Sequence, residues 1–307
     1  MKIDGRGTRA AALCFAVCLA IPVSTLAQAW VEPKGEGNVS LTYQFSHFLG
    51  HIRPDRVWIP VSPSRSQGLT LQVDYSLSDR LGVSASLPYI GTQNGPDPSP
   101  AGGHQGIDDG HYHSTWQDYH FDVRYTVMSR PFVLTPFLTY VVPSHPYTTV
   151  GEAAIGRDLR ETHIGFNAGR LLDPLLPNAY IDAHIGYVFS QKYLGISTDR
   201  TIADVSAGYF VTPRFSTRLI VNYQGAHGGL KCGPCFESPD IPPLLAHQHD
   251  RLLADSHVRV GVGAGFTLTP STDLYAAYVK TVWGQSSHYG HGVALGVSRT
   301  FSAARRK

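Results

Sequence analysis

Charged and histidine side chains recur two residues apart in several separate stretches of the chain. Together with single charges on other alternating stretches, the set comprises Asp118, His120, Asp122, Arg124, Glu161, His163, Asp182, His184, Asp204, Arg218, Arg259 and Lys280. A spacing of two places side chains on one face of a β-strand. If such strands surround an interior, an arc that is mostly acidic would face a basic arc, and the field between them would orient a polar or zwitterionic solute. The same charges could instead pair with one another and plug the interior.

A second candidate is Cys232-Gly-Pro-Cys235, which has the spacing of a thioredoxin-type redox motif. That chemistry requires the first cysteine at a helix N-terminus after a strand, whereas this pair lies in a loop rich in glycine and proline. In an exported chain the oxidising compartment favours a disulfide between Cys232 and Cys235. A zinc site that includes His247 or His249 and redox catalysis remain open alternatives.

Three histidines, His104, His111 and His113, cluster with Asp108 and Asp109 in one stretch of the chain. A His-x-His pair on a loop can bind a transition metal. No closed set of ligand spacings is present, however, and a solvated loop is the simpler interpretation. The sequence therefore predicts neither a metal site nor a cofactor.

The period of two extends over most of the chain and predicts β-strands. In the stretch 39–45 every odd position is apolar and every even position is polar. Twelve runs of this kind can be recognised, at 39–45, 69–77, 81–87, 119–125, 132–142, 162–168, 179–189, 201–211, 215–223, 258–266, 275–283 and 293–301. Sustained alternation indicates strands with two different faces, although the run 132–142 is apolar on both.

The connections between these runs alternate in length. Short turns lie at 79–80, 129–131, 172–178, 212–214 and 269–273, and longer loops at 49–67, 91–114, 144–158, 191–200, 225–252 and 285–291. This alternation is typical of an all-β, transmembrane antiparallel β-barrel of outer-membrane type, with short periplasmic turns and long extracellular loops. In the first long loop, the apolar patch from Arg56 to Pro60 could constrict the barrel mouth or pack against neighbouring loops.

The two faces of the strands differ in chemistry. The polar faces contain the charges, and the apolar faces have Tyr and Phe near the ends of the runs, as in the aromatic girdles that flank the aliphatic band of a membrane barrel. An exported β-sandwich with buried aromatics is the alternative. Glycines that share the predicted inner face of the last strands would leave space for a channel or permit strong curvature; they are Gly261, Gly263, Gly265, Gly292 and Gly296.

The N-terminal residues predict export. Three basic residues precede the uncharged run 10–23, and Ala27-Gln28-Ala29 ends the segment with small residues. We expect a signal peptide over 1–29, cleaved before Trp30, and one barrel domain over 30–307. The alternative is a transmembrane anchor. It would need about 20 apolar residues, and Pro22 interrupts the uncharged run. Cleavage would leave 22 basic and 22 acidic residues, so net charge gives no reason to expect nucleic-acid binding.

Four hairpin motifs stand out in the sequence, at 77–89, 116–125, 210–214 and 268–273. They resemble those of outer-membrane channels grouped under the meta-pathway of phenol degradation. The resemblance implies uptake of small aromatic or other poorly soluble carbon sources. The stretch 296–301, which ends at Phe301, also resembles the aromatic-terminated last strand that the barrel assembly machinery of bacterial outer membranes recognises.

These observations predict a passive outer-membrane channel that takes up small solutes and selects them by a narrow, charged lumen. Twelve strands lie between eight-stranded barrels, which side chains fill, and sixteen-stranded barrels, which enclose an aqueous channel. The expected partners are outer-membrane lipid, a small-molecule solute and the barrel assembly machinery. The alternatives are a non-conducting adhesin or scaffold barrel and an outer-membrane lipid-modifying enzyme. An enzyme is not expected, because the His-x-Ser pattern of outer-membrane phospholipases does not occur.

Overall fold

The computed structural model describes residues 29–95, 107–151, 153–231 and 248–302, which form one closed antiparallel β-barrel. Its strands are β1 (Glu36–Ile52), β2 (Trp58–Ser76), β3 (Leu81–Gln93), β4 (His113–Trp116), β5 (Asp118–Tyr125), β6 (Val133–Pro143), β7 (Glu161–Leu171), β8 (Ala179–Ser190), β9 (Arg200–Thr212), β10 (Phe215–Ala226), β11 (Ser256–Thr269), β12 (Thr272–Gln285) and β13 (Ser287–Ser302). β3 pairs with both β4 and β5, so these two segments are one strand interrupted at Gln117. Pairing of β1 with both β2 and β13 closes the barrel. The predicted twelve-stranded fold is therefore confirmed.

The two faces of the barrel wall follow the predicted alternation over most of the chain. On β1, Ser40 and Thr42 are buried, whereas Val39 and Leu41 between and beside them are exposed. The same pattern of buried polar and exposed apolar side chains recurs around the barrel. The apolar side chains thus form a band on the outside of the barrel, as a lipid bilayer requires. In a soluble β-sandwich the apolar side chains would face inward.

Some strands extend further toward the long-loop end than predicted. β1 continues to Ile52 and β2 begins at Trp58, so that residues 53–57 connect them, and the predicted loop over 49–67 was wrong. Only one residue, Ser286, separates the end of β12 from the start of β13, which corrects the predicted loop at 285–291. In both places the strands remain hydrogen-bonded to their neighbours, although their residues, which include His, Arg, Ser and Pro, no longer alternate between polar and apolar.

The apolar patch in the first predicted loop does not form a separate constriction. Trp58 to Pro60 belong to β2 and pair with β1. The Trp58 side chain is 49% exposed, and its ring centroid lies 6.1 Å from that of Tyr289 on β13. The patch is therefore part of the barrel wall near its extracellular rim.

The segments between the later strands pack on one another at the long-loop end. The single-turn helix α1 (His249–Leu252) lies before β11. Arg251 in this helix donates a hydrogen bond of 2.7 Å to the Asp158 carbonyl oxygen, and its guanidinium lies 3.8 Å from the ring centroid of Tyr193. Three connecting segments are thereby held together. No helix among the described residues is long and apolar enough to cross a membrane.

The residues that precede β1 lie within the barrel at its short-turn end. Ala29 is 1% exposed, and its carbonyl oxygen accepts a hydrogen bond of 2.6 Å from Thr135 Oγ1 on β6. A Cβ atom on Gly169 of β7 would lie 2.4 Å from the Trp30 ring. Since β6 and β7 are several strands away from β1, this segment crosses the lumen. Residues 1–28 lie outside the described residues, and cleavage before Trp30 stays a prediction.

Candidate functional site

The structure places eleven of the twelve residues predicted to line the lumen on the inner face of the barrel, and Lys280 is the exception. On β12, Tyr275 and Val279 are buried, whereas Tyr278 and Lys280 are exposed. The Tyr275 hydroxyl is hydrogen-bonded to Thr42 Oγ1 on β1, over the inner face of the intervening strand β13. Both faces of β12 contain aromatic or aliphatic residues, so alternation alone could not assign its faces. The prediction that Lys280 lines the lumen was wrong.

An ion pair on the inner wall joins β5 to β2. Arg124 Nη2 lies 3.0 Å from Asp74 Oδ1, and Arg124 Nη1 lies 3.6 Å from Asp122 Oδ1. Asp122 also accepts a hydrogen bond of 2.9 Å from Thr139. Asp74 was absent from the predicted set, although its place on the polar face of the second alternating run was a signal that could have identified it. Arg124 therefore has two carboxylates within reach.

A second ion pair lies nearer the extracellular end. Arg200 donates two hydrogen bonds of 2.7 Å to the two carboxylate oxygens of Glu161. His163 Nε2 lies 3.0 Å from Glu161 Oε2. This bidentate geometry is the strongest that an arginine forms with a carboxylate. Arg200 was assigned to a loop from the sequence because it precedes the first alternating residue of its strand.

The remaining lumen carboxylates accept hydrogen bonds from neutral partners. Ser206 donates to Asp182 over 2.6 Å, and Asn222 donates to Asp204 over 2.5 Å. Neither carboxylate forms a direct ion pair with a described residue. Arg218 acts on Asp182 and Arg259 acts on Asp204 only beyond ion-pair distance, so the negative charge on β8 and β9 is opposed without a direct contact.

Asp122, Arg124, His163 and Asp204 are among the side chains that surround a cavity of about 320 Å³. It is lined by Thr42, Gln44, Thr70, Gln72, Ser84, Ser86, Pro88, Ile90, Gln117, His120, Asp122, Arg124, Thr139, His163, Asn167, His184, Ile202 and Asp204. The His184 ring stacks on Phe137 with 4.3 Å between centroids and is 2.7 Å from Asn167 Oδ1. We call the inner faces of β1 to β9, which supply this lining, the cavity side.

The inner faces of β10 to β13 form what we call the packed side, where side chains cover the glycines. A Cβ atom on Gly296 would lie 2.1 Å from the Tyr275 ring, and one on Gly261 would lie 2.4 Å from a Val279 methyl group. Arg218 occupies the space above Gly263 in the same way. These glycines do not leave open volume, because large neighbours lie flat across them.

A hydrogen-bonded group at the long-loop end ties a loop to the barrel mouth. The Tyr147 hydroxyl donates to Asp118 Oδ1 over 2.6 Å and accepts a hydrogen bond of 2.8 Å from the Asp158 backbone N–H. Burial, and then the neighbouring Asp118 carboxylate, raise the pKa of Tyr147, so the phenol remains a donor. The loop 144–160 is thereby fixed beside the entrance to the cavity.

The segment before β1 narrows the opposite end. Val31 lies close to Gly82 on β3, opposite the contact of Trp30 with β7. The Glu32 side chain remains exposed on one side. Its partial burial raises the pKa of the carboxyl, Glu36 adds to this effect, and Arg124 opposes it. The lumen is consequently bounded by a loop above and by residues 29–34 below.

The cysteine pair and part of the histidine-rich stretch cannot be placed, since Cys232, Cys235, His104 and His247 lie outside the described residues. The disulfide stays a prediction. His113 Nε2 lies 3.0 Å from Asp109 Oδ1. In the parts of the chain that the structure describes, no group of three or more His, Cys, Asp or Glu side chains is arranged to hold a metal ion.

The fold is similar to that of solved outer-membrane proteins. The COG4313 outer membrane channel from Pseudomonas putida F1 matches with a TM-score of 0.67 and 13% identity, over 89% of this chain and 98% of that one. The translocator domain of the autotransporter NalP from Neisseria meningitidis (TM-score 0.49, 11% identity, 86% and 88% covered) and the NanC porin (0.48, 10%, 86% and 98%) are less similar. No family model and no curated protein matches the sequence. The chain therefore has the fold of a twelve-stranded outer-membrane channel, and its outward apolar band agrees with a position in the cell outer membrane.

Proposed function

We infer that the protein is a narrow, passive channel for small polar solutes. The observation that supports this function best is the polar cavity inside the barrel, which has no counterpart in a barrel packed solid by side chains. Its volume of about 320 Å³ is at the lower end of the roughly 300–1,000 Å³ typical of small-molecule sites. A solute of the size of one substituted ring fits this space.

The lining favours a solute with both a polar group and an apolar part. Arg124 and His120 can donate to a carboxylate or hydroxyl group. His163 and His184 already donate to Glu161 and Asn167, so their second ring nitrogens can accept a hydrogen bond from a hydroxyl group. Pro88, Ile90 and Ile202 offer apolar contacts. A plain hydrocarbon would desolvate the polar lining without replacing its hydrogen bonds, which is costly. Hydroxylated or carboxylated aromatic compounds satisfy both requirements, and they agree with the carbon sources that the resemblance to phenol-pathway channels implies.

The passage of a solute would be controlled at three positions along the barrel axis. A solute enters beside the loop held by Tyr147, reaches Asp122 and Arg124 in the cavity, and leaves past Trp30. The carboxylates and the guanidinium that face the cavity are fixed by hydrogen bonds, so they need no reorganisation to interact with a passing charge. Selection then depends on the fit of the solute's charge and size to this fixed arrangement.

Single-channel recording of the refolded protein in planar bilayers tests this function. We expect a small conductance that 4-hydroxybenzoate blocks and that toluene does not. Asp122→Asn should change the block, because this side chain lines the cavity, whereas Val123→Ala, its outward neighbour, should leave it unchanged. Equal block by toluene, or no effect of Asp122→Asn, would contradict the proposed selectivity.

A closed barrel with a structural or adhesive role is the second candidate. The contacts of Trp30 inside the lumen and the Glu161–Arg200 ion pair favour it, because both fill space that a solute would use. The absence of any conductance in the wild type and in Trp30→Ala would support this alternative over a channel.

A further inference from the structure

Four basic side chains form a continuous row across adjacent strands of the barrel wall. In the pairing register, His47 on β1 lies directly opposite Arg65 on β2 and His291 on β13, and His291 lies opposite Lys280 on β12. The ring centroids of His47 and His291 are 5.5 Å apart. We call these four residues the basic row.

The basic row lies on the outer surface of the barrel. The residues beside it along the strands, including Ser46, Ser66 and Val279, are buried on the inner face, and alternation directs the row outward. The Tyr278 side chain, which is exposed on the same face of β12, has its ring centroid 6.3 Å from that of His291.

The height of the basic row matches the outer edge of the apolar band. Toward the short-turn end, the outward positions of the same strands include exposed Leu41, Leu71 and Leu295. Toward the long-loop end lie Trp58 and Tyr289, an aromatic pair of the type found where a bilayer meets water. The row therefore lies where the headgroups of the extracellular leaflet meet the barrel.

The protein supplies no counter-charge to the row. None of the four side chains forms a hydrogen bond or an ion pair with another described residue. The residues that pair with its two ends, Gln93 and Val260, are neutral. Arg65 and Lys280, at the two ends of the row, are therefore cations without a carboxylate partner beside the apolar band, where charge is poorly screened. An anion from outside the chain would neutralise both.

We propose that the basic row binds the phosphate groups of a phosphorylated lipid in the outer leaflet. Arg65 and Lys280 neutralise phosphate charge, a ring N–H of His291 donates a hydrogen bond between them, and the acyl chains lie on the leucines below. Arginine matches phosphate geometry with two parallel hydrogen bonds. Basic residues beside an apolar surface thus match both parts of a phosphorylated amphiphile, whereas a free phosphate ion would use only one part.

Binding of lipid A to the refolded full chain in detergent, measured by native mass spectrometry, tests this site. The ligand is used with its phosphates and after their enzymatic removal, and inorganic phosphate is a separate competitor. The variant is Arg65→Gln with Lys280→Gln. The matched control is Arg299→Gln, which removes an exposed cation from the short-turn end of β13. Heat-dependent migration on a detergent gel verifies that each variant is folded.

We expect the double variant to bind phosphorylated lipid A about 30-fold more weakly than the wild type, because the loss of each cation weakens binding about fivefold. The control Arg299→Gln should bind it with wild-type affinity. Removal of the phosphates should abolish the difference between wild type and double variant. If the double variant does not fold, Lys280→Gln alone should show the fivefold loss. Unchanged affinity in the folded variants, an equal loss in Arg299→Gln, or equally tight binding of inorganic phosphate would overturn the site.

Discussion

The interior of this twelve-stranded barrel is filled differently on its two sides. On the cavity side, short polar side chains and paired charges leave a space of about 320 Å³. On the packed side, glycines such as Gly261 and Gly296 lie beneath Val279 and Tyr275, and their neighbours cover the wall. The side chains of the cavity side are thus held by hydrogen bonds around an open space, whereas those of the packed side are in van der Waals contact with one another.

This difference indicates how a barrel of intermediate size can be both stable and selective. The packed side contributes van der Waals contacts that depend on shape, and a substitution there acts through volume. The cavity side depends on partners for buried polar groups, and a substitution there acts through charge and desolvation. The two sides should therefore respond differently to mutation.

The largest effect should come from breaking an ion pair on the cavity side. Glu161→Gln leaves the Arg200 guanidinium without its bidentate partner, and removal of one partner of a buried pair costs about 3–5 kcal/mol. Denaturant unfolding in detergent should show this loss of stability. The double variant Glu161→Gln with Arg200→Gln should recover much of it, because no unpaired charge remains; a wild-type stability for the single variant would contradict this account.

On the packed side, added volume should matter more than charge. Gly296→Ala places a Cβ atom where the Tyr275 ring lies, and overpacking of this kind costs about 1–3 kcal/mol. In a Tyr275→Ala background, the same glycine substitution should cost little, because the space is then free. Additive costs of the two substitutions in the unfolding measurements would show that Tyr275 does not lie over Gly296.

The segment before β1 closes the cavity toward the periplasm, and its removal should increase conduction. Trp30→Ala removes the ring that contacts Gly169 and should raise single-channel conductance. Lys34→Ala, an exposed residue of the same segment, should leave the conductance unchanged. Equal conductance in wild type and Trp30→Ala would indicate that the segment does not limit the path.

A weaker, pH-dependent effect should come from Glu32. Burial raises the pKa of this carboxyl above its ordinary 4.5 in the docked segment, so the docked form binds a proton more readily than a released one. Lowering the pH through the raised pKa therefore stabilises docking, and conductance should fall on acidification through this range. The Glu32→Gln variant should lose this pH dependence, and a wild-type conductance that increased on acidification would contradict the assigned sign.

The sequence was sufficient to predict the barrel, because the outer face needs apolar residues and the inner face tolerates polar ones, which imposes a period of two. It also located the charges of β5, β7, β8 and β9 on one face. It failed at Lys280, where both faces of β12 contain apolar or aromatic residues. It could not predict that Tyr275 covers Gly296, since contacts between strands depend on register, or that Trp30 enters the lumen, since no periodicity marks such a segment.

The smallest effect is expected for single charges of the barrel wall, and the comparison of Asp204 on β9 with Lys280 on β12 discriminates best between the two faces. Asp204 lines the cavity, is hydrogen-bonded to neutral Asn222, and is opposed by Arg259 only beyond ion-pair distance. Its field therefore acts on a passing ion inside the cavity. Asp204→Asn preserves the side-chain shape and should shift the reversal potential in a salt gradient toward anion selectivity. Lys280→Gln removes a charge of the outer face, where the barrel wall separates it from the path, and should leave the reversal potential unchanged. A selectivity change in Lys280→Gln as large as that in Asp204→Asn would mean that ions pass close to Lys280, and the face assigned to β12 would then be incorrect.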